Sequence, residues 1–91
     1  MKLWYIWQEQ NRGYDTYDSA VVAAETEDAA KKIHPGDYLI WHANAWRYPH
    51  DQQDSGDYGD WAHVDAVKVE YIGEAKEGTE AGVIVSSFNA G

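Results

Sequence analysis

The sequence contains no cysteine, only two prolines and only seven lysines and arginines in 91 residues. Without cysteine no disulfide supports the fold, and a reducing compartment is the natural setting. No run of 18 apolar residues occurs, and the start of the chain lacks the apolar segment of a signal peptide. We therefore predict a single soluble domain in the cytoplasm of the cell that makes it.

Positive charge is scarce relative to negative charge. Sixteen acidic residues against seven basic ones give a formal charge of −9 and a sequence pI near 4.6. This charge repels phosphates, so we predict neither direct nucleic-acid binding nor membrane binding. It attracts basic surfaces, including those that normally hold DNA or RNA. Because charge also maintains solubility, it indicates a basic partner only together with other features.

Aromatic residues are abundant. Five tryptophans and seven tyrosines exceed what the core of so small a domain needs, and such rings are enriched at protein contact sites. Six of the thirteen aromatics lie between residues 37 and 63, with five aspartates and a single arginine. We call residues 37–63 the aromatic insert. Its composition predicts an irregular segment that supplies part of a contact surface.

Short strands flank the aromatic insert. Residues 3–7 and 19–24 have strand patterns joined through the turn residues 11–13, and residues 66–72 and 83–88 predict two further strands. Thr26 is a predicted helix N-cap, and Pro35 with Gly36 ends that helix. The order is ββα, aromatic insert, ββ. We predict one α+β domain over residues 1–91, with a mainly antiparallel sheet of about four strands and one short helix.

Motifs for catalysis or metal binding are absent from the sequence. Its aspartates at 51, 54, 57 and 60 recur every third residue, whereas calcium loops place ligands at every second position. The histidines at 34, 42, 50 and 63 lack the spacing of a zinc site. No serine lies in a nucleophile motif and no glycine-rich loop precedes a Lys-Ser or Lys-Thr pair. We predict no enzyme activity, no metal and no cofactor.

The predicted partner-binding residues within the aromatic insert are of two kinds. Aromatic rings provide buried contact area, although one or two of them must complete the core beneath the insert. Aspartates steer the domain toward a basic patch and speed association. The aromatic candidates are Tyr38, Trp41, Trp46, Tyr48, Tyr58 and Trp61. The acidic candidates are Asp51, Asp54, Asp57 and Asp60.

A repeated Tyr-Asp unit precedes the second predicted strand and has two interpretations. Tyr14-Asp15 and Tyr17-Asp18 lie three residues apart. In one interpretation the aspartates cap a turn and the rings cover the sheet edge. In the other, the unit is a second contact surface, because tyrosine offers rigid area and aspartate accepts hydrogen bonds from a partner's Arg or Lys.

Three segments of the chain resemble a family of small uncharacterised tailed-phage proteins. They are residues 14–35 (YDTYDSAVVAAETEDAAKKIHP), 67–75 (VKVEYIGEA) and 86–91 (SSFNAG). The aromatic insert is longer and more aromatic than the family pattern. The resemblance implies a phage or prophage origin and expression inside a bacterial cell. It supplies no activity that can be assigned to particular residues.

These observations lead to a functional prediction with two alternatives. Small acidic phage proteins without catalytic motifs often occupy a host protein, as anti-CRISPR proteins do, and this is an analogy that does not depend on fold. We predict a non-catalytic inhibitor of a bacterial host or defence protein with a basic surface. One alternative is an oligomeric sponge whose aromatic rings hold a nucleotide-like signal. The other is a structural or assembly protein of the phage particle.

Overall fold

The computed structural model describes residues 1–55 and 60–89. Its elements follow one another along the chain as two long strands, a short helix, a small hairpin, a 3₁₀ turn and two further long strands. They are β1 (Lys2–Trp7), β2 (Thr16–Ala24), α1 (Glu27–Lys31), β3 (Ile40–His42), β4 (Ala45–Arg47), the 3₁₀ turn Val64–Ala66, β5 (Lys68–Glu74) and β6 (Gly82–Asn89). None of the helices in the described part of the chain has the length and apolarity needed to cross a membrane.

The main sheet has four antiparallel strands in the order β5-β1-β2-β6. Alternation along β1 buries Trp4 and Ile6 on one face, while the residues between them point to the other face. Across from them, β2 contributes Val22 and small alanines, which leave room for the elements that cover this face. The indole N–H of Trp4 donates to the carbonyl of Ala24 at 3.0 Å, so its polar atom is satisfied inside the core.

The helix α1 begins where the sequence predicts. The Thr26 hydroxyl accepts a hydrogen bond from the Ala29 N–H at 3.1 Å, and the acidic Glu27 and Asp28 occupy the first turn. At five residues α1 ends before the predicted stop at Pro35 and Gly36, and it buries Ala30 against the sheet. So short a helix is stable only through packing.

A second, two-stranded sheet lies inside the aromatic insert. Strands β3 and β4 pair antiparallel, with Trp41 opposite Trp46. The connecting residues Ala43 and Asn44 both have positive φ, 50° and 62°, as a tight two-residue hairpin turn requires. Arg47 closes this turn, since its guanidinium donates to the carbonyls of His42 at 2.7 Å and Ala43 at 3.2 Å.

The predicted α+β class, the mainly antiparallel four-stranded sheet and the single short helix are found in the structure. The β3–β4 hairpin is additional, because the composition of the aromatic insert predicts an irregular segment. The hairpin owes its stability to burial rather than to strand length. Its Ala45 and Trp46 belong to the buried interior, where they join residues of the main sheet.

Candidate functional site

A cleft of about 380 Å³ lies where the loop before β2 meets the aromatic insert. This volume is at the lower end of the range for ligand pockets. The cleft joins two segments that the sequence analysis proposed separately, the first Tyr-Asp unit and the insert. Its lining residues are Tyr14, Asp15, Tyr38, Leu39, Tyr48, Ser55 and Asp60. We call this the tyrosine–aspartate cleft.

The loop that carries Tyr14 and Asp15 is held by a buried glutamine. The Gln8 side-chain amide donates to the carbonyls of Asn11 at 2.6 Å and Tyr17 at 3.0 Å, and its oxygen accepts the Asn11 N–H at 2.7 Å. The Asp15 N–H donates to the Asn89 carbonyl at 2.6 Å. Side-chain and backbone hydrogen bonds therefore fix this segment, while Tyr14, which lines the cleft, is 78% exposed.

Asp60 is placed by contacts to three parts of the chain. Its carboxylate lies 3.3 Å from the His34 Nε2 and accepts a hydrogen bond from the Tyr38 hydroxyl. Its backbone carbonyl accepts the Tyr17 N–H at 2.8 Å, which ties the end of the insert to β2. The side chain remains 24% exposed and lines the cleft. Asp60 is thus a carboxylate held in place by the fold.

His34 is buried, and both of its ring nitrogens are engaged. The Gly36 N–H donates to Nδ1 at 2.9 Å, which assigns the proton of the neutral ring to Nε2, facing Asp60. Burial lowers the pKa of His34, and the nearby carboxylates of Asp60 and Asp37 oppose that shift without cancelling it. The neutral ring therefore positions Asp60, and neither nitrogen is free to accept a proton from a substrate.

Aromatic rings surround His34 and connect it to the cleft. Tyr17, Tyr38 and Trp46 contact it edge-to-face, with ring centroids 5.8, 4.9 and 5.3 Å away. Gly36 permits this packing, since a Cβ there would lie 2.9 Å from the Tyr17 hydroxyl and from the Tyr38 ring. Burial, followed by the bond to Asp60, raises the pKa of Tyr38, so its hydroxyl stays a donor at neutral pH.

The tyrosine–aspartate cleft has the chemistry of a cation site. Two carboxylates and three phenol rings line it, and no Lys or Arg is among the described residues that do so. Arg47, the single Lys or Arg of the insert, donates instead to backbone carbonyls of the hairpin turn and of Gln52. Aromatic faces and carboxylates together attract guanidinium and ammonium groups, whereas phosphates find no positive partner here.

Five predicted contact residues come together in the cleft: Tyr14, Asp15, Tyr38, Tyr48 and Asp60. Two predicted contacts are corrected by the structure. Trp46 and Trp61 are each only 1% exposed and belong to the core, so a partner does not reach them. The Trp46 indole donates to the Ala62 carbonyl at 2.9 Å. These rings fill the space between the insert and the sheet, which is the role that the sequence analysis reserved for one or two of them.

The remaining predicted contacts lie outside the cleft lining. Trp41 is half-buried against Trp46 and His63, and Tyr17 packs on Phe88 at 4.7 Å between ring centroids. Asp18, Asp51 and Asp54 are exposed. Asp57 and Tyr58 lie outside the described residues.

Residues that shape the site were missed by the sequence analysis. Gln8, His34 and Gly36 are not among the lining residues, yet they fix the loop, the carboxylate and the ring of the cleft. A lone histidine or glutamine has no spacing pattern that reveals such a role. Gly36 was noticed in the sequence, but the Pro35-Gly36 pair was assigned only to the end of the helix and not to the packing around His34.

Metal ligands do not cluster in the described part of the chain, since no group of three or more His, Asp or Glu there is arranged to hold an ion. The functional assignment therefore depends on the cleft itself. Comparison of the chain with protein-family models, curated proteins and solved structures finds no match.

Proposed function

We propose that this chain is a non-catalytic binding protein that inhibits a bacterial host or defence protein by occupying a basic surface of it. The tyrosine–aspartate cleft would receive an Arg or Lys side chain of the partner. The observation that carries the proposal is the convergence of Asp15 and Asp60 with three tyrosines in one cleft.

Charge supports a basic partner at two distances. The formal charge of −9 attracts a positive surface at long range and raises the association rate. At contact, a guanidinium or ammonium group of the partner would lie against phenol faces of the cleft. No Lys or Arg among the described lining residues would compete with it for the carboxylates. Because Asp60 is already held by His34 and Tyr38, its carboxylate loses little conformational freedom on binding.

The bacterial setting of the proposal comes from the resemblance of the chain ends to tailed-phage proteins. Inhibition by occupying a surface fits the arrangement of His34, Asp60 and Tyr38. Their polar atoms hydrogen-bond to one another and to the Gly36 N–H, so none of the three is a free general base. A nucleotide sponge is less compatible with the cleft, since its carboxylates repel phosphates.

Capture from a bacterial lysate with the immobilised chain tests the proposal, with the captured protein then titrated in a 1:1 activity assay. We expect Asp15→Asn and Tyr48→Ala to weaken that complex by about 10-fold or more, as for residues at the centre of an interface. Asparagine tolerates the positive φ of Asp15, 57°, so the first variant changes charge without straining the loop. Raising the salt concentration should also weaken the complex.

Matched substitutions away from the cleft provide the controls. Asp65→Asn removes one charge from a side chain that is 92% exposed beyond the cleft, and Tyr71→Ala removes an exposed ring of β5. Both should bind and inhibit like the native chain. Equal binding by the cleft variants and the controls, or a complex unaffected by salt, would contradict the proposal.

A further inference from the structure

The main sheet ends in two edge strands, β5 and β6, that differ in chemistry. An edge strand presents unpaired backbone N–H and C=O groups to any other strand that approaches. Natural sheets protect such edges with charged side chains, bulges or short strands. The side chains along each edge of this sheet therefore indicate whether that edge can pair with a strand of another molecule.

The β5 edge is protected by charge. Lys68, Glu70 and Glu74 lie along its seven residues, and the Lys68 ammonium is 2.9 Å from the Glu9 carboxylate. A register shift opposite Leu3 and Trp4 also distorts this strand. These charged side chains disfavour pairing of the β5 edge with another strand.

The β6 edge lacks the charged side chains that lie along β5. None of its eight residues, Gly82–Asn89, is ionisable, although the chain carries 16 acidic residues in all. Three large apolar side chains are exposed along it: Ile84, Val85 and Phe88. Two register shifts occur here too, between Tyr17 and Ser19 and between Val21 and Val22 of β2, so charge rather than the presence of a bulge distinguishes the two edges.

Apolar surface continues from β6 onto the sheet face opposite the core. A shallow depression of about 130 Å³ lies there between β1, β2 and β6, lined by Tyr5, Val21, Val85 and neighbouring serines and alanine. Val21 pairs with Tyr5 on one side and with Val85 on the other. The strip therefore offers side-chain contacts as well as backbone hydrogen bonds.

We propose that β6 pairs antiparallel with β6 of a second copy of this chain, which joins the two sheets into one of eight strands. Two copies at −9 repel each other, and β6 lets them meet without placing a carboxylate on either pairing strand. The charged β5 edges are left at the outer ends. Assembly therefore stops at a symmetric dimer and does not continue as a filament.

Two isoleucines provide a matched test by sedimentation equilibrium of the full chain. Ile84 on β6 and Ile72 on β5 are 51% and 48% exposed, and each lies at a register shift of its own edge strand. Ile84→Lys places two like charges across the proposed interface, so the dimer dissociation constant should rise by about 10-fold or more. Ile72→Lys makes the same change of charge and should leave the dimer intact.

Salt dependence separates this dimer from the binding proposed for the cleft. Screening should strengthen association of two acidic copies and weaken a complex with a basic partner. A native chain that is monomeric at about 100 μM would overturn the proposal, because a dimer with a micromolar dissociation constant is associated at that concentration. So would equal dissociation of the Ile84→Lys and Ile72→Lys variants.

Discussion

The inner and outer sides of the aromatic insert use their rings in different ways. On the inner side, Trp46 and Trp61 are almost completely buried and complete the core above the main sheet. On the outer side, Tyr38 and Tyr48 keep part of their rings exposed and line the cleft with Asp60. The indoles thus stabilise the fold, and the phenols form the candidate site.

This difference has a physical origin. A buried polar atom is costly unless it is hydrogen-bonded inside the protein, and the Trp46 N–H donates to a backbone carbonyl. A phenol at a boundary keeps its apolar body against the protein and its hydroxyl toward polar groups, as Tyr38 does with Asp60. Aromatic density in a sequence therefore does not by itself identify a contact surface.

The largest effect should come from removing one ring on each side of the insert. Trp46→Ala leaves a large cavity and should lower the free energy of unfolding by about 3–5 kcal/mol. Tyr48→Ala, at a partly exposed ring, should lower it by less than about 1 kcal/mol. Urea denaturation followed by circular dichroism measures both. Similar losses in the two variants would show that the insert has no inner and outer side.

The two buried indoles should differ from each other by a smaller amount. Trp46→Phe leaves the Ala62 carbonyl without its donor, whereas the Trp61 N–H has no hydrogen-bond partner among the described residues. Trp61→Phe should therefore cost about 1 kcal/mol less than Trp46→Phe. Denaturation of the two variants side by side provides the comparison. A greater loss for Trp61→Phe would mean that its indole does have a partner.

The smallest expected effect is a pH dependence of stability that originates at His34. Its ring contacts Trp46 on the inner side of the aromatic insert and Tyr38 on the outer side. Burial lowers its pKa below the ordinary value of 6.5, so the unfolded chain takes up the proton at higher pH than the folded chain. The corresponding stability is fully present above pH 6.5 and is lost as the pH falls toward the lowered pKa. Denaturation between pH 5 and 8 should show this slope.

The variant His34→Gln is the control for that slope. It has no ionisable group at this position, so its stability should be lower throughout and should lack the His34 component of the pH dependence. An unchanged slope in His34→Gln would assign the effect to other groups.

Local signals in the sequence predicted much of the fold. The alternation of residues 3–7 and the N-cap at Thr26 are properties of a few neighbouring residues, and both are found in the structure. The β3–β4 hairpin was not predicted, because its turn at Ala43 and Asn44 lacks the usual glycine. Two of the six rings proposed in the insert as contacts are core residues instead.

The sequence by itself determined an acidic, cysteine-free α+β chain and the location of its aromatic and acidic residues. The tertiary structure decided which rings are buried and that Tyr14 and Asp15 face Tyr38, Tyr48 and Asp60 across one cleft. Such contacts join residues more than 20 positions apart along the chain, for which spacing gives no signal. They depend on β2 pairing and on the Asp60 bonds, and these form only when the chain is folded.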